Sequence, residues 1–173
     1  MSFRLPGSKC TILAGLPVLL ALLSACSPVA SPGTTEGGRV ALIIVDAQRA
    51  TTQTCVEVSG VETTGQDLLG LAGLPLTLDE RNAMGALVCA IDGQGCAFPS
   101  EDCLCKCRGL GECAYWASFV RTPPGKWTYA ALGLSAQTVR TGDLYAWVWL
   151  PSASANTEVL SWLPDSTLES ICP

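Results

Sequence analysis

Apolar runs with strand periodicity, one short amphipathic segment, and six cysteines within twenty-five residues predict an α+β domain. The expected architecture is a mostly antiparallel sheet with one short helix and a disulfide-stapled insert. Val40-Ala-Leu-Ile-Ile-Val45 is an unbroken apolar run bounded by Gly38 and Asp46, the pattern of a strand buried on both faces. Residues 54–58 alternate and form its expected hairpin partner. Thr63 or Thr64 can cap a helix whose first turn holds Asp67 and whose Leu68, Leu71 and Ala72 share a face, until Gly73 and Pro75 stop it.

Residues 87–91 read as a strand that runs into the turn pair Asp92-Gly93. Residues 115–120 and 126–131 are aromatic strands joined by the turn Thr122-Pro-Pro-Gly125. Thr141-Gly-Asp143 then feeds residues 144–150, where Tyr145, Trp147 and Trp149 fall on one side of a strand. Residues 152–158 are polar and loop-like, and Cys172, one residue from the end, reads as a clasp that pins the tail to the body.

The N-terminus carries an address. Arg4 and Lys9 precede an apolar run from Thr11 to Leu23, too short for a membrane span of about 20 residues, and Leu23-Ser24-Ala25-Cys26 resembles a lipobox. Residues 1–25 are therefore expected to be a lipoprotein signal peptide, with Cys26 the lipidated first residue of the mature chain. Residues 26–38, rich in Pro, Gly, Ser and Thr, are the expected flexible tether, and residues 39–173 the folded domain. This implies an extracytoplasmic protein anchored by lipid to a bacterial cell membrane.

Without the leader, 8 Lys+Arg stand against 15 Asp+Glu, a net charge of −7. An acidic domain with no basic cluster is a poor partner for nucleic acid. In an exported chain the even set Cys55, Cys89, Cys96, Cys103, Cys105, Cys107, Cys113 and Cys172 is expected to form four disulfides rather than a metal site. Cys103-X-Cys105-X-Cys107 lacks the knuckle spacing of structural zinc, and no Cys-X-X-Cys pair is present. The connection 93–113 is long for a compact domain unless stapled, and these cysteines are the staples.

Histidine is absent, which removes Ser/His/Asp and Cys/His nucleophile activation. Asp79-Glu80 and Glu101-Asp102 are adjacent carboxylates of the solvated-loop kind, so no enzymatic activity and no cofactor are expected. The aromatic residues Trp116, Trp127, Tyr129, Tyr145, Trp147 and Trp149 come from three strands expected to be neighbours. Either they form the core beneath the helix, or part of the stripe is exposed as a platform for a flat apolar ligand or a sugar ring.

Taken in order, the apolar strand, Val56-Glu-Val58, the helix from Thr64, Ile91-Asp-Gly93, Trp127-Thr-Tyr129 and Thr141-Gly-Asp143-Leu-Tyr-Ala-Trp147 resemble the transcobalamin-like C-terminal domain. The resemblance spans residues 40–150 and implies a small β-grasp-like unit. It also implies capture of a soluble small molecule, corrinoid- or vitamin-like, for delivery to a membrane transporter. A structural or protein-interaction module of the cell envelope is the alternative, and a carbohydrate-binding lipoprotein a third reading.

Overall fold

The computed structural model describes residues 37–109, 112–151 and 156–173. The expected leader, Cys26, all of the expected tether before Gly37, and residues 152–155 of the expected polar loop lie outside this set. Among the described residues no helix is long and apolar enough to cross a membrane.

The chain forms β1 (Gly38–Val45), β2 (Thr51–Val58), β3 (Glu62–Thr64), α1 (Gly65–Leu71), β4 (Leu76–Asp79), β5 (Leu87–Ile91) and β6 (Gln94–Gly95). There follow β7 (Tyr115–Arg121), β8 (Thr128–Tyr129), β9 (Thr138–Arg140), β10 (Leu144–Leu150), α2 (Asn156–Leu160) and α3 (Leu168–Ile171). The main sheet has the order β2-β1-β10-β7-β8, with β4-β5-β6 and β3-β9 as smaller sheets. Every pairing is antiparallel except β1 with β10, which run parallel from Ala41↔Leu144 to Val45↔Val148. The mixed, mostly antiparallel sheet with a short helix after its first hairpin is the arrangement expected from the sequence.

Side-chain alternation divides β1, β7 and β10 between two cores. Val40, Leu42, Trp116, Tyr145, Trp147 and Trp149 face α1 and the β4-β5-β6 sheet, together with Leu68, Leu69, Val88 and Ile91. Ala41, Ile43, Val45, Ala117, Phe119, Leu144, Ala146, Val148 and Leu150 face the opposite way, onto Val159 and Leu163. Burying each such Val, Leu, Ile or Phe side chain contributes about 1.5–3 kcal/mol, so both faces need a cover.

That second cover corrects the expectation of one short helix. The tail carries α2 and α3, and Leu168 and Ile171 pack against the second core along with Trp162. Each helix is only four or five residues long, below the length at which helical periodicity can be read from a sequence, and tertiary packing rather than propensity supports it. Thr167 and Ser170 close a reciprocal capping box around the start of α3.

Thr64 caps α1, accepting from the Asp67 amide at 3.1 Å. The buried arc is Gly65, Leu68 and Leu69 with Ala72 beside it, and Leu71 is exposed. The helix begins one residue after its cap, so positions i, i+3, i+4 and i+7 fall on the sheet and Leu71 turns aside. Asp92 and Gly93 both take positive φ, 49° and 75°, which suits the two-residue turn from β5 to β6.

All eight cysteines of the domain are paired: Cys55–Cys172, Cys89–Cys103, Cys96–Cys105 and Cys107–Cys113. Three bridges lie within the insert. They tie residues 103–113 to β5, to the segment just after β6, and to themselves, and Cys105 forms an isolated bridge with Ala114 that returns the chain to β7. The fourth joins β2 to the tail across 117 residues. Arg39 Nη1 donates to the Pro173 carbonyl at 2.6 Å beside it.

An intact mass about 8 Da below the fully reduced value is expected, two per bridge. In the loop-closure model a loop of this length restricts the unfolded chain by about 4–5 kcal/mol. Replacing both Cys55 and Cys172 by serine should therefore lower the urea unfolding free energy by up to that amount. A loss below about 1 kcal/mol would show that the tail is held by its apolar contacts instead.

Candidate functional site

The six aromatic residues expected to act together separate once the sheet is assembled. Trp116, Tyr145, Trp147 and Trp149 are buried beneath α1 and the β4-β5-β6 layer, so the stripe is core and not an open platform. Trp116 and Trp149 meet edge to face at 5.6 Å, and the Trp116 indole donates to the Gln94 carbonyl at 3.0 Å. Trp127 belongs to the other face, half-buried in the second core with the Arg121 guanidinium 4.9 Å from its ring centroid. Tyr129 lies at the sheet edge and is 41% exposed. The helix and the second layer cover most of this stripe, because the same alternation that aligns three aromatics also makes them the largest apolar surface available for burial.

Three of the six nevertheless meet at one opening. Trp116, Tyr129 and Trp147 line a cleft of about 160 Å³ beyond the edge of β7, together with the loop before β5 and residues 130–134. Its mouth carries Met84 (56% exposed), Leu104 (50%) and Leu132 (48%) besides Tyr129, four of the seven exposed large apolar side chains among the described residues. These come from three separate segments of chain. None of the lining residues is charged.

Main-chain contacts hold the walls together. Gly133 donates to the Met84 carbonyl at 2.8 Å and Leu134 to the Ala86 carbonyl at 2.7 Å, while the Ser135 hydroxyl accepts from the Ala86 amide. The approach requires glycine on both sides: Gly85 has φ of +107°, and a Cβ at Gly133 would lie 2.2 Å from the Gly85 oxygen. On the opposite wall β8 is only two residues long, shorter than the strand expected over 126–131, so part of the β7 edge faces the cleft.

A buried polar group of residues underlies the cleft. Gln137 Nε2 donates to Ser118 Oγ at 2.9 Å and to the Leu132 carbonyl, and the Tyr145 hydroxyl donates to Gln137 Oε1. Burial pushes the Tyr145 phenol well above its usual value near 10, against a smaller opposing influence of the Trp147 indole and the Ser118 hydroxyl. That indole N–H nonetheless has no acceptor at hydrogen-bonding geometry. Trp147 Nε1 is the one buried side-chain nitrogen or oxygen without a partner among the described residues.

Met84, Leu104 and Leu132 carry no pattern by which sequence reasoning could have found them, since each lies in a loop without helical or strand periodicity. Among the described residues one group, Cys96, Glu101 and Cys105, has ligand atoms close enough to hold a metal ion. Its two sulfurs are bonded to each other and offer no thiolate.

No protein-family model matches the chain, and no curated protein matches it. Among solved structures it is similar to a Ruminococcus gnavus ATCC 29149 protein described provisionally as metal-binding, at 10% identity and a TM-score of 0.45, covering 66% of this chain and 97% of that one. It is also similar to haptocorrin in complex with Cbi, at 17% identity and a TM-score of 0.47, covering 69% of this chain and 26% of that one. The chain thus spans about a quarter of the haptocorrin chain. At these identities and scores neither likeness brings a ligand to this protein.

The Tyr145 shift sets a pH dependence. Below pH 10 both folded and unfolded chains keep the phenol proton, and above it the unfolded chain releases the proton while the folded one retains it. Stability should fall as pH rises past about 10. In an alkaline titration the Tyr145 phenolate absorbance is expected to appear only as the circular dichroism of the fold is lost. Ionisation of all three tyrosines in a still-folded domain would contradict the burial assigned to Tyr145.

Proposed function

We propose that this protein is a lipid-anchored extracytoplasmic binding protein that captures a small organic molecule in the cleft between residues 84–88 and 129–134 and passes it to a membrane transporter. The observation that carries the reading is the convergence of Met84, Leu104, Tyr129 and Leu132 on one uncharged cleft. Scattered exposed apolar residues need no explanation, whereas a cluster rimming a concave site is the usual mark of ligand recognition. The anchor at Cys26 and the tether after it, expected from the sequence, would hold the domain at the membrane surface within reach of a transporter.

Size narrows the ligand. Pockets that engulf a drug-sized molecule hold about 300–1,000 Å³, and the cleft offers about 160 Å³. A vitamin-like molecule built on one ring fits within it. A corrinoid would engage through a peripheral group only.

A second reading, a protein-interaction module of the envelope, is favoured by a different surface. A shallow groove of about 740 Å³ runs along α1 between Val58, Leu76 and Leu78, and the exposed Leu71 lies on its edge.

Two measurements test the proposal. Cys26→Ala should move the protein from the membrane fraction to the soluble fraction and abolish labelling by fatty acid. In a titration of corrinoids and single-ring vitamins against tryptophan fluorescence, at least one compound should saturate, and the double substitution Met84→Asp/Leu132→Asp should remove the response without unfolding the domain. A flat response to every compound, with capture of a protein partner lost in Leu71→Glu, would favour the interaction module.

A further inference from the structure

β2 ends the main sheet, and its main chain faces two ways. Ala41 donates to the Asp143 carbonyl on the β10 side at 3.1 Å, and Asp46 donates to the Ala50 carbonyl on the β2 side at 3.0 Å. Odd-numbered residues of β1 therefore bond to β10 and even-numbered ones to β2. The antiparallel register sets Val40 against Val56 and Leu42 against Thr54, so the main-chain groups of Thr52, Thr54, Val56 and Val58 point inward to β1. Those of Thr51, Gln53, Cys55 and Glu57 point out of the sheet. Among the described residues no hydrogen bond from another part of the chain reaches these four outward amides and carbonyls. The tail meets β2 through side chains, in the Cys55–Cys172 bridge and a Ser166 hydroxyl that donates to Gln53 Oε1 at 3.2 Å, and so covers a face of the strand. Its edge stays open, and Thr51, Thr52, Gln53 and Thr54 are exposed.

An open edge is a template for another strand, and folded proteins blunt it with short strands, bulges, proline or lysine. The other sheet edges carry such devices. β6 and β8 have two residues each, β3 and β9 have three, and β4 has four with a register break between Thr77 and Leu78. β2 has none of them: it runs eight residues in unbroken register with β1, lacks proline and lysine, and is rich in threonine, which suits a pleated strand.

We propose that a second copy of this chain adds to that edge, β2 pairing with β2 antiparallel about a two-fold axis at Thr54. In this register Thr51 of one copy faces Glu57 of the other, Gln53 faces Cys55, and every outward amide and carbonyl of both strands gains a partner. A shift in either direction leaves an end residue unpaired. Glu57 is the only charged side chain of the strand, and the two glutamates fall at opposite ends of the pairing, so no like charges oppose each other. Thr54 meets its own counterpart, a favourable cross-strand pair. The strand is thus its own complement, as an isologous interface requires. β2 and β8 are opposite ends of the main sheet, so the pairing is independent of the ligand reading and leaves the cleft beside β8 open in both copies.

The chain is acidic, and two copies repel at long range, so the test belongs at about 0.15 M salt, where charges are screened beyond about 8 Å. The disulfide-bonded protein, kept soluble by Cys26→Ala, should show a monomer–dimer equilibrium in sedimentation, with dimer evident by about 1 mM. As the dimer forms, amide hydrogen exchange should slow at Thr51, Gln53, Cys55 and Glu57 and stay unchanged at Thr52, Thr54 and Val56, which β1 already protects. Thr54→Lys puts like charges across the axis and should weaken the dimer about ten-fold, as should Thr54→Glu, whereas an equimolar mixture of the two variants should recover it as a mixed dimer. If either variant fails to fold, the exchange pattern of the Thr54 protein decides the question alone. A protein monomeric across the whole range, or a dimer whose four outward amides exchange as fast as the monomer's, overturns the proposal. Protection of those amides only by an added extended peptide would overturn self-pairing and give the edge to a foreign strand.

Discussion

The structure depends on the parallel pairing of β1 with β10 at the centre of the main sheet. These strands are the first and last of the sheet in chain order, so everything from Asp46 to Asp143 is the crossover that connects them. A central parallel pair is stable only when both its faces are shielded from water. One face receives α1 and the β4-β5-β6 layer, and the other receives the tail. The tail lies on its face through the apolar contacts of Val159, Leu163, Leu168 and Ile171, with Cys172 bonded to Cys55 on the neighbouring β2. The terminal clasp and the central pairing are thus parts of one solution to a single burial requirement.

The insert bridges have a different consequence. Residues 96–113 contribute little periodic apolar surface, yet Cys96, Cys103 and Cys105 are buried, and Cys96 and Cys105 belong to the same core as Trp116 and Trp149. The bridges replace the apolar packing that such a segment would otherwise need. They also fix Leu104, placed between two bridged cysteines, at the mouth of the cleft. A loop that carried the same leucine without the staples would pay the entropy of ordering it on each binding event.

The cleft exists where coverage of the sheet stops. β8 ends after two residues, residues 130–134 leave the sheet to meet the loop before β5, and the glycine pair Gly85 and Gly133 lets their main chains approach within hydrogen-bonding distance. The opening left between them is apolar at its mouth and polar beneath, through Ser118, Gln137 and Tyr145. An apolar concave surface with few fixed polar groups is what orients a small ligand without a charged anchor.

Residues 38–45, 65–71, 87–91 and 144–150 were legible as elements because period and punctuation in the sequence report burial on one face or two. The even cysteine count, with the export expected from the N-terminal segment, likewise pointed to paired thiols, and all eight are paired. Which cysteine meets which, the helices α2 and α3, and the fate of the aromatic stripe were decided only by the tertiary structure. Alternation shows that Tyr145, Trp147 and Trp149 share a face but is blind to what lies above it. Met84, Leu104 and Leu132 form one site solely because the crossover brings three distant loops to the same edge of β7. A sequence determines the faces that must be buried, and only the folded chain determines where their covering stops.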